Sequence, residues 1–360
     1  MTLALSWPQP PAIVVVGQTF DASRTTGRVA AMRALGCRVV QVPTTPPGQD
    51  YETPPSLMQR LRYRLRLPAD VAGSNESLLA AIAQGADVLW LDAADMIWPK
   101  TLQQAKRVNP DIKIIWYAED DMMNHRLRTR WLERSLSLFD LWVTTKSFNA
   151  DVSEMPSLGV IDVLFVNNSF DANLHRPIAA SDQDKQQFGS PVSFIGTFEE
   201  PRAQSLLHLA RQGFSVRVWG NGWGDWVGRH DNLRIENRPA YNDDFARVIA
   251  ASDINLCFLR KSNRDLQTCR SIEIPACGGF MVHERNDEIT ALFREDREAV
   301  YFFDNDALVE ACENWLRRDD DRGRIGQAAR NRAFELDLSH ESNVVRILNA
   351  AGSQGAGGKS

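Results

Sequence analysis

The stretch Asp265-Leu-Gln-Thr-Cys-Arg-Ser-Ile-Glu273, followed at once by Ile-Pro-Ala-Cys-Gly-Gly-Phe280, concentrates side chains able to do chemistry. Two carboxylates stand eight positions apart, with Thr268, Arg270 and Ser271 between them. Glu273 falls where the pattern predicts a helix to start, just after hydroxyl and guanidinium groups. The backbone N–H groups of such a start, together with Arg270, suit a phosphate, and Glu273 suits the hydroxyls of a sugar diol. An ordinary capped helix with a surface glutamate fits the same spacing.

A second candidate lies in Ile114-Ile-Trp-Tyr-Ala-Glu119-Asp120-Asp121, where three carboxylates follow an apolar run directly and His125 comes one helical turn later. Asp120, Asp121 or His125 placed there would orient or deprotonate an acceptor hydroxyl. An acidic helix N-terminus is the plainer reading. The triplet also looks like a metal-binding DxD motif, but no second acidic cluster supports it, and no metal is expected. Gly17, with the loop over 18–26, is expected to face a ligand, because glycine permits close backbone approach.

Two sets of strands and helices must position these groups. Ala12-Ile-Val-Val-Val-Gly17 reads as a buried strand, 26–35 as a helix closed by Gly36, and 37–42 as a second strand. A Pro- and Thr-rich linker covers 43–56, and a helix over 76–84 leads to a strand over 87–91. Further strands are predicted over 112–117, 141–144 and 163–166. A linker over 172–190 precedes the second set, with strands over 192–195, 215–219, 233–235, 254–258 and 280–283. Helices are expected over 202–212, 243–251, 308–318, 321–334 and 342–350, while Asp319-Asp-Asp321 reads as a solvated loop. Strands alternating with helices predict parallel sheets covered on both faces. The fold class is therefore α/β, with one Rossmann-like doubly wound domain over 1–180 and another over 190–340. Residues 351–360 read as a disordered tail.

Arg270-Ser-Ile-Glu-Ile-Pro-Ala-Cys-Gly-Gly-Phe280 resembles the nucleotide-sugar-binding segment of glycosyltransferases with the GT-B fold and a group-1-like C-terminal domain. It is most similar to the group that includes the spore-maturation-protein-like glycosyltransferases. Val192-Ser-Phe-Ile-Gly-Thr-Phe-Glu-Glu-Pro-Arg202, Val218-Trp-Gly-Asn-Gly-Trp223 and Phe165-Val-Asn-Asn-Ser-Phe-Asp171 match further pieces of that group in order. The match is specific over 190–345 and looser before it. Retaining members of the wider superfamily carry Glu at both ends of a seven-residue gap; here the first position is Asp265, one methylene shorter.

The resemblance implies two domains facing each other across a cleft, with the helix over 341–350 crossing back to the first. The second domain would hold a nucleoside-diphosphate-sugar, a UDP-sugar by preference, and no further cofactor. Glu273 would take the ribose diol and Asp265 would lie near the donor sugar. Thr268, Arg270 and Ser271 would surround the diphosphate, and Gly196, Thr197 and Asn221, at the carboxyl ends of strands, converge where an anionic nucleotide fits. Arg260-Lys261, with Arg264 close behind, would stabilise the charge developing on the leaving diphosphate, and Arg202 is a further cation for that task. A solvated loop and a structural first-turn arginine are their alternatives. Trp219, Trp223 and Tyr241 would flank the base, unless they serve packing. The first domain would hold a glycan, protein or lipid-linked acceptor. A retaining, metal-independent transfer follows if the carboxylates act as in the relatives. Rival readings are a non-catalytic nucleotide- or glycan-binding protein and a nucleotide-sugar epimerase or hydrolase on the same scaffold. A dinucleotide oxidoreductase is disfavoured because Gly17-Gln-Thr-Phe-Asp-Ala-Ser is no GxGxxG.

Composition narrows the classes further. At 360 residues the chain is long enough for two cores, and a net charge of −5 argues against nucleic acid as a partner. Met1-Thr-Leu-Ala-Leu-Ser-Trp-Pro lacks the features of a secretory leader, and no apolar run approaches the ~18 residues of a membrane span. Five cysteines without CxxC spacing read as reduced thiols. A cytoplasmic setting is expected. Arg60-Leu-Arg-Tyr-Arg-Leu-Arg-Leu67 alternates basic and apolar residues, as a strand or a helix. Arg60, Arg62, Arg64 and Arg66 would suit anionic headgroups at the inner face of a membrane, or else pair with surface acids.

Overall fold

The computed structural model describes residues 4–20, 23–50 and 53–353. It divides into two compact units, one formed by Met1–Asn167 with His340–Ser360 and the other by Asn168–Ser339. The division falls at Asn167, so 168–180, read with the first domain from sequence, cluster with the second.

Unit 1 runs β1 (Ala12–Gly17), α1 (Arg24–Ala34), β2 (Arg38–Pro43), α2 (Leu57–Arg64), α3 (Ser74–Ile82), β3 (Val88–Asp92), α4 (Pro99–Val108), β4 (Lys113–Ala118), α5 (Arg130–Glu133), β5 (Leu141–Thr144) and β6 (Val163–Phe165). Its parallel sheet has the order β2-β1-β3-β4-β5-β6. Consecutive strand residues point to opposite faces, so Val14, Val16, Leu89, Leu91, Ile114 and Trp116 enter one core, with Leu78 and Ile82 of α3 and Leu102 of α4. Ile13, Val15, Val88, Trp90, Ile115 and Tyr117 enter the other, with Val29 and Met32 of α1.

Unit 2 runs α6 (Asp182–Phe188), β7 (Ser190–Ile195), α7 (Glu200–Arg211), β8 (Val216–Trp219), β9 (Leu233–Ile235), α8 (Asp243–Ala251), β10 (Ser252–Cys257), α9 (Cys269–Ala276), β11 (Met281–Glu284), α10 (Asp287–Leu292), β12 (Val300–Phe302), α11 (Asn305–Trp315) and α12 (Asp319–Glu335). Its parallel sheet has the order β12-β11-β10-β7-β8-β9. The last helix, α13 (His340–Ser353), returns to unit 1, where Val344, Ile347, Leu348 and Ala351 complete the core shared with α1.

Several expectations need correcting. The 172–190 linker contains α6, started by a reciprocal cap in which Asp184 N–H donates to Ser181 Oγ (3.1 Å) and Ser181 N–H to the Asp184 carboxylate (3.0 Å). Asp319-Asp-Asp321 is the first turn of α12, not a loop, as the favourable field at a helix N-terminus allows. Arg60 to Arg64 are helical. Residues 351–353 finish α13, and the rest of the expected tail lies outside the described residues, as do Asp21 and Ala22 of the 18–26 loop. The five cysteines are buried thiols, none of them in a disulfide. No helix among the described residues is long and apolar enough to cross a membrane.

Candidate active site

In unit 2 the strand order reverses between β7 and β10, the place where open α/β sheets bind ligands beyond their carboxyl ends. The loops after those two strands carry Gly196-Thr197 and Arg260-Lys261. Arg202, in the first turn of α7, is buried; it donates to the Thr197 carbonyl (3.3 Å) and to Glu199 (2.8 Å). Burial pulls its guanidinium below the ordinary value, against the attraction of Glu199. Glu199 also accepts from Ser262 Oγ (3.2 Å), tying the loop after β7 to the loop after β10. Gly196 N–H donates to the Trp219 carbonyl (2.8 Å), and Phe198 N–H to that of Asn221 (2.9 Å). At Gly220 a Cβ would stand 2.0 Å from the Gly196 carbonyl oxygen, so only glycine lets these strand ends approach.

Arg260 and Lys261 keep 42% and 65% of their side chains exposed, although each has an acidic neighbour. Lys261 pairs with Glu284, whose other oxygen accepts from Leu259 N–H (3.0 Å). Asp265 is buried within its own loop: it accepts from Asn263 Nδ2 (2.6 Å), Arg260 N–H (3.3 Å) and Arg260 Nε (3.4 Å). Its carboxylate fixes the cationic loop, and its side chain is only 1% exposed.

Helix α9 begins four residues before Glu273, because Thr268 N–H donates to Ser271 Oγ (2.9 Å) and so starts the helix early. Glu273 therefore stands in the second turn, a correction of its expected place. Pro275 lies in the last turn, and Gly278 and Gly279 N–H groups close on the Pro275 and Ile274 carbonyls (2.8 and 3.1 Å). Glu273 is buried, ion-paired with Arg270 and 3.7 Å from His175 Nε2. His175 Nδ1 accepts from Asp171 N–H (3.0 Å), which leaves the Nε2 proton facing Glu273. Arg270 also donates to the Ile195 carbonyl (3.3 Å) and lies over the Phe245 ring (4.6 Å). Ser271 is spent in the interior: its hydroxyl stands 2.7 Å from His283 Nε2, and His283 Nδ1 faces the Glu284 carbonyl (2.7 Å). Thr268 remains half-buried at the helix start. Trp219 and Trp223 are core residues, the latter donating to the Gly196 carbonyl (2.9 Å), so neither flanks a base; Tyr241 is 36% exposed.

In unit 1 the reversal lies between β1 and β3, and a charge cluster fills it. Buried Arg28 donates to both Asp92 oxygens (2.7 and 2.8 Å) and to Glu119 (3.0 Å), and lies over the Tyr117 ring (4.4 Å). Arg24 holds the other Glu119 oxygen (2.7 Å). Burial opposes ionisation of Glu119, yet Arg24 and Arg28 hold it well below the usual carboxylate range. Burial pushes Asp92 up, against the pull of Arg28. Gly17 serves this packing: a Cβ there would meet Thr25 at 2.7 Å and Asp92 at 3.1 Å.

Turns, not a helix, follow β4. Asp121 is buried and shapes them, accepting from Met123 N–H (3.1 Å) and Asn149 Nδ2 (3.0 Å). Asp120 is half-buried and His125 exposed. The acidic triplet thus splits three ways. Arg28, Asp92, His175, Glu199 and Glu284 were not singled out from sequence; only their positions near strand ends or motif residues hinted at them.

Residues 202–349 match the family described as glycosyl transferase-like. The chain has the GT-B fold. No curated protein sequence matches it. Among solved structures, sucrose-phosphate synthase from Thermosynechococcus elongatus superposes with a TM-score of 0.63 at 11% identity, covering 96% of this chain and 99% of that one. A glycosyltransferase from Rickettsia africae gives 0.64 at 10%, covering 98% and 100%. HepE from Anabaena, in complex with UDP-glucose, gives 0.59 at 12%, covering 96% and 99%. At such identities the likeness is one of fold. The matched segment takes in Arg202, Arg260, Lys261 and Glu273.

Proposed function

We propose that the protein transfers a sugar from a UDP-sugar to an acceptor hydroxyl, without a metal ion and with retention of anomeric configuration. The observation that carries the reading is the strand-order reversal in unit 2, where Thr197, Arg260 and Lys261 stand on the two bordering loops and Arg202 in the first turn of α7. The exposed cations Arg260 and Lys261 compensate the charge on the departing diphosphate, which is the task a metal would otherwise perform. Glu273, held by Arg270 and His175, presents a fixed carboxylate to the ribose diol. UDP is preferred over other nucleotides on the likeness to the Anabaena protein with UDP-glucose. Retention, and a place near the spore-maturation-protein-like group, rest on the resemblance of the 265–280 segment. Asp120 and His125 serve the acceptor, a glycan, protein or lipid-linked hydroxyl, while Asp121 holds the turn that carries them.

A thermal-shift comparison of UDP-, GDP-, dTDP- and CDP-sugars tests this. A ligand bound only by the folded state at about 100 times its Kd adds about 2.7 kcal/mol. The expected result is a rise with UDP-sugars that Glu273→Gln abolishes. No rise with any donor, from a folded sample, would overturn the reading.

A further inference from the structure

Helix α2 buries none of its residues. Leu57, Met58, Leu61 and the C-cap Leu65 are 83%, 63%, 51% and 52% exposed. At 3.6 residues per turn these four fall within an arc about 100° wide. Arg60 and Arg64 border that arc on one side and Arg62 on the other. Gln59 and Tyr63 fall opposite: Gln59 is half-buried, and Tyr63, although 61% exposed, is tethered there by the bond its hydroxyl donates to Asp95 (3.4 Å). The apolar arc therefore points away from the sheet.

The chain just after α2 is anchored firmly. Arg66 Nε donates to the Arg128 carbonyl (2.8 Å), Arg130 N–H returns a bond to Arg66 (2.8 Å), and Arg66 pairs with Glu133. The anchoring segment adds exposed Arg126, Leu127 and Arg130 to the same region. No acidic residue occurs over 53–69, in a chain whose net charge is −5. A contiguous apolar face flanked by cations marks an interaction surface. A second copy of this chain is a poor occupant, since two such faces would bring their arginines together.

We propose that α2 seats on an anionic lipid bilayer. Leu57, Met58, Leu61 and Leu65 enter the acyl boundary, and the exposed Arg60 and Arg64 meet the headgroup phosphates. The proposal goes beyond the transferase reading and does not depend on it.

The test is co-sedimentation of the full chain with phosphatidylcholine vesicles, with and without phosphatidylglycerol. Binding is expected only with the anionic lipid and should weaken in high salt. Each arginine near the surface is worth about a fivefold change in partitioning, so Arg60→Ala with Arg64→Ala should lower it about 25-fold. Leu57→Ser with Leu61→Ser should lower it at low salt too, which separates apolar entry from simple adsorption. Arg60, Arg64, Leu57 and Leu61 are exposed, so both variants should keep the parent Tm. No binding to anionic vesicles, or undiminished binding by either variant, overturns the proposal. A dimer in light scattering that Leu61→Ser dissolves also overturns it, and assigns the face to a second copy.

Discussion

Arg28 and Asp92 meet in a two-pronged ion pair inside unit 1, with Nε and Nη2 each donating to a different carboxylate oxygen at 2.7 and 2.8 Å. Both residues are buried, and the third prong reaches Glu119 at 3.0 Å. One guanidinium thus joins the ends of β3 and β4 from a position on α1. Removing it would leave Asp92 buried without its partner. Arg28→Met should cost about 3–5 kcal/mol in urea unfolding, and Arg28→Lys much of that, because an ammonium cannot serve the two-pronged geometry. Asp92→Asn added to Arg28→Met should recover part of the loss in a double-mutant cycle.

Lys261 should behave differently. It is 65% exposed, and Glu284 keeps its bond from Leu259 N–H without it. Lys261→Ala should leave Tm near the parent value and lower kcat about 10- to 100-fold in a donor-turnover assay. Loss of folding with unchanged turnover per folded molecule would contradict the role proposed for it.

Asp265 is predicted to act through its loop. Asp265→Ala strips acceptors from Asn263 and from Arg260, and should destabilise unit 2 by about 1–3 kcal/mol while weakening donor binding. Asp265→Asn keeps one acceptor oxygen and should retain more of both. A collapse of kcat in Asp265→Asn at parental Tm and donor affinity would instead place the carboxylate at the reacting sugar.

Asp95 gives a pH signature. Burial raises its carboxyl to about 6, against the bond from Tyr63. The unfolded carboxyl loses its proton near pH 4 and the folded one near pH 6, so between them unfolding releases a proton. Its contribution therefore makes stability fall as pH rises through that window and level off above it. Asp95→Asn should be more stable than the parent at pH 7, by about 2 kcal/mol, and should flatten that slope. Urea unfolding at pH 4.5 and 7.5 measures both.

Much of the architecture was legible because most central strands are short apolar runs followed by a helical period. Val14 to Val16 and Ile254 to Phe258 could hardly be anything else. Short elements escaped: β12 is three residues, and α10 is a single run of six. The site was less legible, since side-chain direction depends on register. Glu273 was misplaced by a turn because the cap that starts α9 uses Ser271 at its third position, not the Glu or Gln of the usual box. Trp219 sits at a strand end, where its alternation sends it into the core. Arg28 looked like any helical surface arginine, and its partners come 64 and 91 residues later.

Unit 1 is interrupted in sequence. Its core over Ile13, Val15 and Trp90 is finished by α13, which the chain reaches only after all of unit 2. On a ribosome, therefore, the usual order of maturation reverses. The contiguous unit 2 can close while the earlier-made half still waits with one face of its sheet covered by α1 alone, and a chain cut short before His340 would leave the remainder of that face sticky.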